Sequence, residues 1–198
     1  MRLIRKKGSK EVVGIYKFSL IKYGEKKLWG RDKGKRIREQ IMEYFNSSSF
    51  NVQNEDILQI DFTAIDIVEF SLVSELLVVL IARLAGEMKG KHIVLSGMNP
   101  LIKENVSVAL EKAKQVALVI DEANNWSLIG KCSDPIHHTF EVVVDKKSVD
   151  TPTLAQILNT NIHSINNRLK ILQSYGLVKR TEVIAPSGGI QYVYHSII

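Results

Sequence analysis

The chain has 198 residues, 45% of them hydrophobic, and a formal net charge of +6. This length allows one large or two small domains with substantial cores. The lone Cys132 excludes an internal disulfide framework and is compatible with a reducing cytosol. Residues 1–30 lack the apolar core of a signal peptide, and the longest apolar run, 76–82, is too short to span a membrane. We therefore expect a cytoplasmic protein with no membrane partner.

Positive charge is concentrated at the start of the chain. Residues 1–40 carry a formal charge of +10, residues 41–133 carry −5, and residues 134–198 carry +1. The basic part contains a segment of strand character at 12–21, and its lysines and arginines are interleaved with Tyr16, Phe18, Tyr23 and Trp29. This pattern fits a phosphate-bearing partner, including RNA, or a solvated edge strand whose lysines prevent aggregation. The sequence leaves both readings open.

From residue 55 onward, apolar segments of strand and helix character alternate. The predicted strands are 57–62, 92–97, 116–120 and 126–130, and the predicted helices are 72–88 and 100–114. This order implies right-handed crossovers that place helices on a sheet, so the fold class is α/β. The serines at 47–49 predict a loop before the first of these strands.

Two short motifs in this region resemble the STAS and STAS-like domains. The first is Asp61-Phe62-Thr63-Ala64-Ile65, followed by Glu69-Phe70-Ser71 and a helix with Glu75-Leu76-Leu77. The second is the glycine- and basic-rich lead-in to a helix at 30–38. In that superfamily a strand ending in Asp leads to a helix bearing a phosphorylatable Ser or Thr. The resemblance spans residues 12–125 and implies a STAS-like mixed sheet with helices over residues 1–133.

The resemblance also bears on phosphorylation. Aligning Asp61 with the family's strand-end Asp puts Phe70 at the phosphoacceptor position of the anti-sigma-factor antagonists, and a phenyl ring cannot accept phosphate. The adjacent Ser71 is therefore the candidate phosphoacceptor, since a helix N-terminus stabilises a phosphate. The alternative is that Ser71 caps this helix.

Residues 134–198 predict a small α+β domain. Asp134-Pro135 opens a helix, which is followed by a short strand, a helix at 151–158, a turn at 159–161 and a helix at 162–175. Two strands, 177–185 and 190–196, flank a hairpin turn. Local chemistry supports these boundaries through the predicted caps Thr151 and Asn161, Gly176 at a helix end, and one buried stripe formed by Ile162, Ile165, Leu169 and Leu172.

This element order resembles the winged-helix families of bacterial and archaeal transcription factors. The resemblance implies a helix-turn-helix whose second helix enters the major groove of double-stranded DNA. The implied DNA-binding residues are His163, Ser164, Asn167, Arg168 and Lys170 on that helix, with Lys179, Arg180, Ser187, Gly188 and Gly189 in the hairpin. Winged helices also serve as protein–protein modules, and the low charge of this segment leaves that alternative open.

Nothing in the sequence indicates catalysis. There is no phosphate-binding loop and no nucleophile–base pair, and the adjacent His137 and His138 cannot share one face of a helix. We therefore expect no catalytic residues, metal or cofactor. The sequence predicts a two-domain transcriptional regulator, 1–133 and 134–198, with DNA and a regulatory protein as partners. Symmetric dimers are the usual arrangement of such domains, which favours a homodimer. The alternative is a signalling adaptor that binds a kinase or an anti-sigma-like protein.

Overall fold

The computed structural model of the protein describes residues 2–3, 14–46, 57–184 and 188–198, which form a mixed α/β fold. The described strands are β1 Arg2–Leu3, β2 Gly14–Ser19, β3 Lys27–Leu28, β4 Ile57–Asp61, β5 Ile67–Val68, β6 His92–Ser96, β7 Val116–Ile120, β8 Trp126–Gly130, β9 Ser148–Asp150, β10 Val178–Ile184 and β11 Ile190–Ser196. The described helices are α1 Arg31–Asn46, α2 Phe70–Val73, α3 Val79–Leu84, α4 Pro100–Lys112, α5 Asp134–Lys146, α6 Thr151–Ile157 and α7 Ile162–Ser174. A π-helical segment, Ser74–Val78, joins α2 to α3 as one continuous helix.

The largest sheet has the strand order β1-β2-β4-β6-β7-β8. Strands β2, β4, β6 and β7 are parallel, whereas β1 and β8 pair antiparallel at the two edges. Every residue of β6 is buried, as expected for a parallel strand in a sheet that is covered on both faces. The predicted α/β class and the predicted alternation of strands with helices are confirmed.

Helices α1 to α4 cover one face of this sheet. Strand residues Ile60 and Leu95 belong to a single apolar cluster with Ile41, Leu72 and Leu110 of the helices. Helix α1 also crosses α2 at close range, because residue 34 is glycine. A Cβ atom at Gly34 would lie 2.8 Å from the carbonyl oxygen of Leu72. We call this face the helix side of the sheet.

The opposite face of the sheet is covered by residues 134–198. Val94 and Leu118, which alternate with residues of the first cluster along their strands, form a second apolar cluster with Phe140, Leu169 and Tyr194. This second cluster therefore contains residues from both sides of the predicted division at residue 133. Within the C-terminal part, β10, β11 and β9 form an antiparallel sheet in that order, and α7 packs against α5, α6 and β10.

Several predicted boundaries differ from the observed ones. Strand β2 ends at Ser19, because residues 20–23 form a 3-10 helix that ends at Gly24 with a φ of 77°. The helix predicted over 72–88 begins at Phe70, and its last helical residue is Leu84. The predicted strand start at 12–13 and the predicted serine loop at 47–49 lie outside the described residues. The helices predicted to end at 114 and 175 end at Lys112 and Ser174.

A two-stranded parallel ribbon was not predicted from the sequence. Strands β3 and β5 pair Lys27 with Ile67 and Leu28 with Val68 at the end of the sheet where the parallel strands finish. Strands of two residues are too short for any periodicity to reveal them. Separately, none of the helices in the described ranges is long and apolar enough to cross a membrane.

Candidate nucleic-acid interface

The two helices of the candidate interface, α6 and α7, begin at side-chain caps. The Asp150 carboxylate accepts a hydrogen bond from the Thr153 amide at 2.8 Å, and Asn161 accepts one from the Ser164 amide at 2.8 Å. The predicted cap at Asn161 is confirmed. The predicted cap at Thr151 is wrong, because the extended residue before the helix is Asp150 and Thr151 is already helical. Each cap satisfies an amide that has no partner within its helix.

One face of α7 is fixed in the core. Ile165, Leu169 and Leu172 are fully buried, as predicted from their spacing. The prediction that Ile162 shares this stripe is wrong, because its side chain is 51% exposed at the first turn of the helix. Helix packing therefore begins one turn later than the sequence pattern indicated.

The opposite face of α7 is polar and accessible. His163, Asn167 and Lys170 follow one another at i, i+4 and i+7, and all three are exposed. Ser164 lies beside this row and is half-buried. Amide and ammonium groups at this spacing can hydrogen-bond to base edges and phosphate oxygens. We call His163, Asn167 and Lys170 the polar row of α7.

Arg168 does not belong to this row. Its side chain is half-buried, and its Nη1 donates a hydrogen bond to Thr139 Oγ1 of α5 at 3.4 Å. Thr139 in turn donates to the carbonyl oxygen of Pro135 at 2.7 Å. Arg168 thus connects α7 to α5.

The hairpin β10–β11 carries the remaining predicted residues. Arg180 is exposed, with its guanidinium 4.4 Å from the ring centroid of Tyr192, and Lys179 on the other face is half-buried. Gly188 and Gly189 are exposed, with φ of 80° and 94°, which fits a turn. Ser187 lies outside the described residues. The structure thus places Arg180 and the two glycines on an accessible hairpin.

Sequence reasoning missed the exposed apolar residues of this region. Ile184 and Ile190 face each other at the end of the hairpin and are 86% and 69% exposed. Strand periodicity identified the hairpin but did not show how far it extends beyond the core. The adjacent turn sequence was the available signal, because strand residues next to a hairpin turn lie farthest from the body. Val183, Tyr192, Ile162 and Ile171 are also more than one-third exposed.

The C-terminal end of α7 is anchored to the end of the sheet at which the parallel strands begin. His92 Nδ1 lies 2.7 Å from the carbonyl oxygen of Gly176, and the Tyr175 hydroxyl donates to the carbonyl oxygen of Lys114 at 2.7 Å. Gly176 itself has a φ of 67°, as predicted for a helix end. These contacts fix the position of the polar row relative to the sheet.

At the other end of the parallel strands, Asp61 is a buried and well-partnered carboxylate. It accepts a hydrogen bond from Thr63 Oγ1 at 2.7 Å and pairs with Lys17 Nζ at 3.0 Å. Burial would raise the pKa of Asp61, but the bonds from Thr63 and Lys17 outweigh it and hold the pKa below its ordinary value. Asp61 thus joins the ends of β2 and β4 as a charged group.

Ser71 is the second residue of α2 and is half-buried. The alternative that it caps this helix is wrong, because the capping position is Glu69. The Glu69 carboxylate instead accepts a hydrogen bond from the Gly30 amide at 2.7 Å. The neighbouring Phe70 is 39% exposed, with the Lys112 ammonium 4.7 Å from its ring centroid. Phosphorylation of Ser71 stays a prediction.

The fold and this surface define a mixed α/β protein with a capped helix pair and a hairpin that together present polar side chains outward. No protein-family model matches the chain, and a search of curated proteins finds no significant match.

Proposed function

We propose that this protein is a DNA-binding transcriptional regulator. In this proposal residues 134–198 act as a winged helix on double-stranded DNA, and residues 1–133 act as a STAS-like domain for sensing, dimerisation or partner binding. The observation that carries the proposal is the polar row of α7, because it is exposed while the opposite face of the helix is locked in the core. Such a protein acts in the cytoplasm and needs no metal, cofactor or catalytic residue.

The side chains support distinct roles. Asn167 offers a donor and an acceptor that match an adenine edge, and Lys170 offers a charge for phosphate or guanine. Ser164 and His163 add hydrogen-bonding groups at the start of the helix. Arg180, Lys179 and the glycines of the hairpin are assigned to the phosphate backbone or the minor groove. Since Arg168 already donates to Thr139, we assign Lys170 the larger share of phosphate affinity on α7.

The charge of this region bears on stoichiometry. Residues 134–198 carry a formal charge of only +1. Because phosphate neutralisation supplies most nonspecific affinity, one copy binds duplex DNA weakly. A symmetric dimer doubles the contacts, so we propose that the regulator acts as a homodimer on two half-sites.

The test is fluorescence anisotropy of the full-length protein with mixed-sequence duplex DNA across a salt titration. We expect Lys170→Ala to weaken binding and to reduce the slope of log affinity against log salt by about 1. Lys89→Ala is the matched control, since Lys89 is an exposed lysine just after α3 on the helix side of the sheet. Unchanged affinity and slope in Lys170→Ala would remove the DNA assignment from α7.

Asn167→Ala separates sequence reading from charge. Because it removes no charge, we expect it to leave the salt slope unchanged and to lower affinity for a selected site by about 1–3 kcal/mol. Equal loss on selected and random duplexes would contradict a base-reading role.

The second candidate function is a signalling adaptor that binds a kinase or an anti-sigma-like protein through residues 1–133. The exposed Phe70 beside Ser71 favours it, because an exposed aromatic at a helix start suits a protein interface. Two results together would support the adaptor. The protein would show no duplex binding at low salt, and the wild-type protein would bind a kinase that the Phe70→Ala variant does not bind.

A further inference from the structure

A tryptophan lies exposed at the carboxyl end of the parallel sheet. Trp29 directly follows β3 and is 56% exposed, although large aromatic side chains are usually well covered. The pairing of β3 with β5 places the exposed side chains of Lys27 and Ile67 opposite each other, immediately before Trp29. Ligands of open parallel sheets bind at this end of the strands.

Cations precede and follow this tryptophan in the chain. Residues 14–46 hold nine lysines and arginines against four acids, and α1 begins two residues after Trp29. Among the described residues, Lys26, Lys27 and Arg36 are exposed and make no ion pair. Three carboxylates of this region are paired: Glu25 with Lys33 at 2.6 Å, Glu39 with Lys35 at 3.9 Å and Glu75 with Arg38 at 3.1 Å. Asp32 and Asp66 are exposed, yet residues 14–46 as a whole carry a net formal charge of +5, so the segment is basic on balance.

The other aromatic residues of this segment already contact neighbouring residues of the fold or are buried. Tyr16 stacks on Tyr44 with ring centroids 3.7 Å apart, and Phe18 is buried. Tyr23 is half-buried and donates a hydrogen bond to Gln40. Trp29 is thus the most exposed of the four aromatic rings that the sequence interleaves with basic residues.

Helix α1, which follows this surface in the chain, and helix α7 lie on opposite sides of the central sheet. Helix α1 packs in the first apolar cluster and α7 in the second. The end of α7 is anchored where the parallel strands begin, whereas Trp29 lies where they finish. We therefore assign the Trp29 surface a ligand of its own.

We propose that the surface formed by Trp29, Lys26 and Lys27 binds a single-stranded polynucleotide. An unpaired base stacks on the Trp29 ring, and the two cations contact the neighbouring phosphates. Exposed aromatic rings within a basic surface are the arrangement that binds single strands, because every base has a flat face and every linkage carries a charge. A duplex offers no free base face to Trp29.

The test uses the full-length protein and a labelled oligouridylate of about 12 nucleotides, followed by anisotropy and by tryptophan fluorescence. We expect binding that quenches tryptophan fluorescence and weakens as salt rises. Trp29→Ala should weaken binding about 5- to 100-fold, whereas Trp29→Phe should retain most of the affinity. The exposure of Trp29 makes both variants compatible with folding, which circular dichroism checks.

Charge is tested separately. The double variant Lys26→Glu/Lys27→Glu should weaken binding and reduce the salt slope by at least about 1.4, since each phosphate contact on a single strand contributes about 0.7. Lys89→Glu/Lys131→Glu is the control with the same change in charge at two exposed lysines elsewhere. A parallel titration with an oligothymidylate distinguishes RNA from DNA as the preferred strand.

Three results would overturn the proposal: no oligouridylate binding at low salt, equal weakening by the control pair, or full affinity in Trp29→Ala. Binding of polyglutamate that disappears in Trp29→Ala would replace the polynucleotide with an acidic protein partner. Duplex binding that depends on Lys170 is measured in a separate titration, so either proposal can fail without the other.

Discussion

Gly176 is the residue at which the C-terminal part of the chain meets the sheet. Its φ of 67° is unfavourable for other residues, and a Cβ atom there would lie 2.9 Å from the carbonyl oxygen of Lys91 and 3.2 Å from Leu84 Cδ1. The first of these neighbours is backbone, which cannot move aside as a flexible side chain can. Gly176 therefore combines a conformational and a steric requirement.

We predict that Gly176→Ala lowers the free energy of unfolding by about 2–4 kcal/mol, from the left-handed backbone and the close contact together. Gly90→Ala is the matched control, because Gly90 has a φ of 85° but open space around it, so only the conformational cost of about 1 kcal/mol applies. Urea unfolding of both variants measures the difference. Equal destabilisation would show that Gly176 has no steric role.

At the scale of elements, the start of α7 is set by a single side chain. Asn161 is extended, and its side chain accepts from the Ser164 amide. The first fully buried residue of the helix, Ile165, comes one turn later. The cap therefore fixes the helix start where packing does not, and with it the position of His163 in the polar row.

We predict that Asn161→Ala destabilises the protein by about 1 kcal/mol, because an amide at the helix start loses its partner. Gln156→Ala, at an exposed position of α6, should change stability by less than about 0.5 kcal/mol. Urea unfolding of the two variants tests the comparison. A fall in duplex affinity of Asn161→Ala under conditions in which the variant is fully folded would further show that the cap orients the polar row.

At the scale of the whole molecule, the central sheet is shared by two cores. Helices α1 to α4 pack on one face and residues 134–198 on the other. Hydrogen bonds from His92 to Gly176 and from Tyr175 to Lys114 add polar contacts between residues 1–133 and residues 134–198. Since the sheet cannot lose one layer without exposing apolar strand residues, we expect the two parts to unfold together.

Leu118→Ala tests this coupling. Leu118 is fully buried in the second cluster, so the variant should lose about 2–5 kcal/mol of stability. In the Trp29→Phe background Trp126 is the only tryptophan of the chain, and its fluorescence should change together with the circular dichroism signal in one transition. Val108→Ala, at a 38% exposed position of α4, serves as the mild control. Two separated transitions would show that residues 134–198 unfold independently.

Much of the fold follows from local pattern. Strands β4, β6, β7 and β8 and the buried positions Ile165, Leu169 and Leu172 follow from apolar periodicity, and the cap at Asn161 follows from side-chain chemistry. The wrong predictions concern the first residues of α6 and α7, where the sequence allowed more than one cap or start of packing. Asp150 displaces Thr151 as a cap, and Ile162 falls outside the packed stripe although its spacing matches.

The candidate site was predicted in part. The exposure of His163, Asn167 and Lys170 follows from helical geometry once the buried stripe is known. The bond from Arg168 to Thr139 was not predictable, because the two residues are 29 positions apart and meet only when α5 packs on α7. The exposure of Ile184 and Ile190 likewise depends on how far the hairpin extends beyond the core.

The sequence by itself determined the mixed α/β class, the order of helices and strands, and the concentration of basic residues before residue 40, since these depend on periodicity and composition. The tertiary structure alone decided that helices α1 to α4 cover one face of the central sheet and residues 134–198 the other. It also placed Trp29 at the carboxyl end of that sheet. Alternation along a strand shows that side chains point to two faces, but which helices cover each face depends on packing between distant parts of the chain.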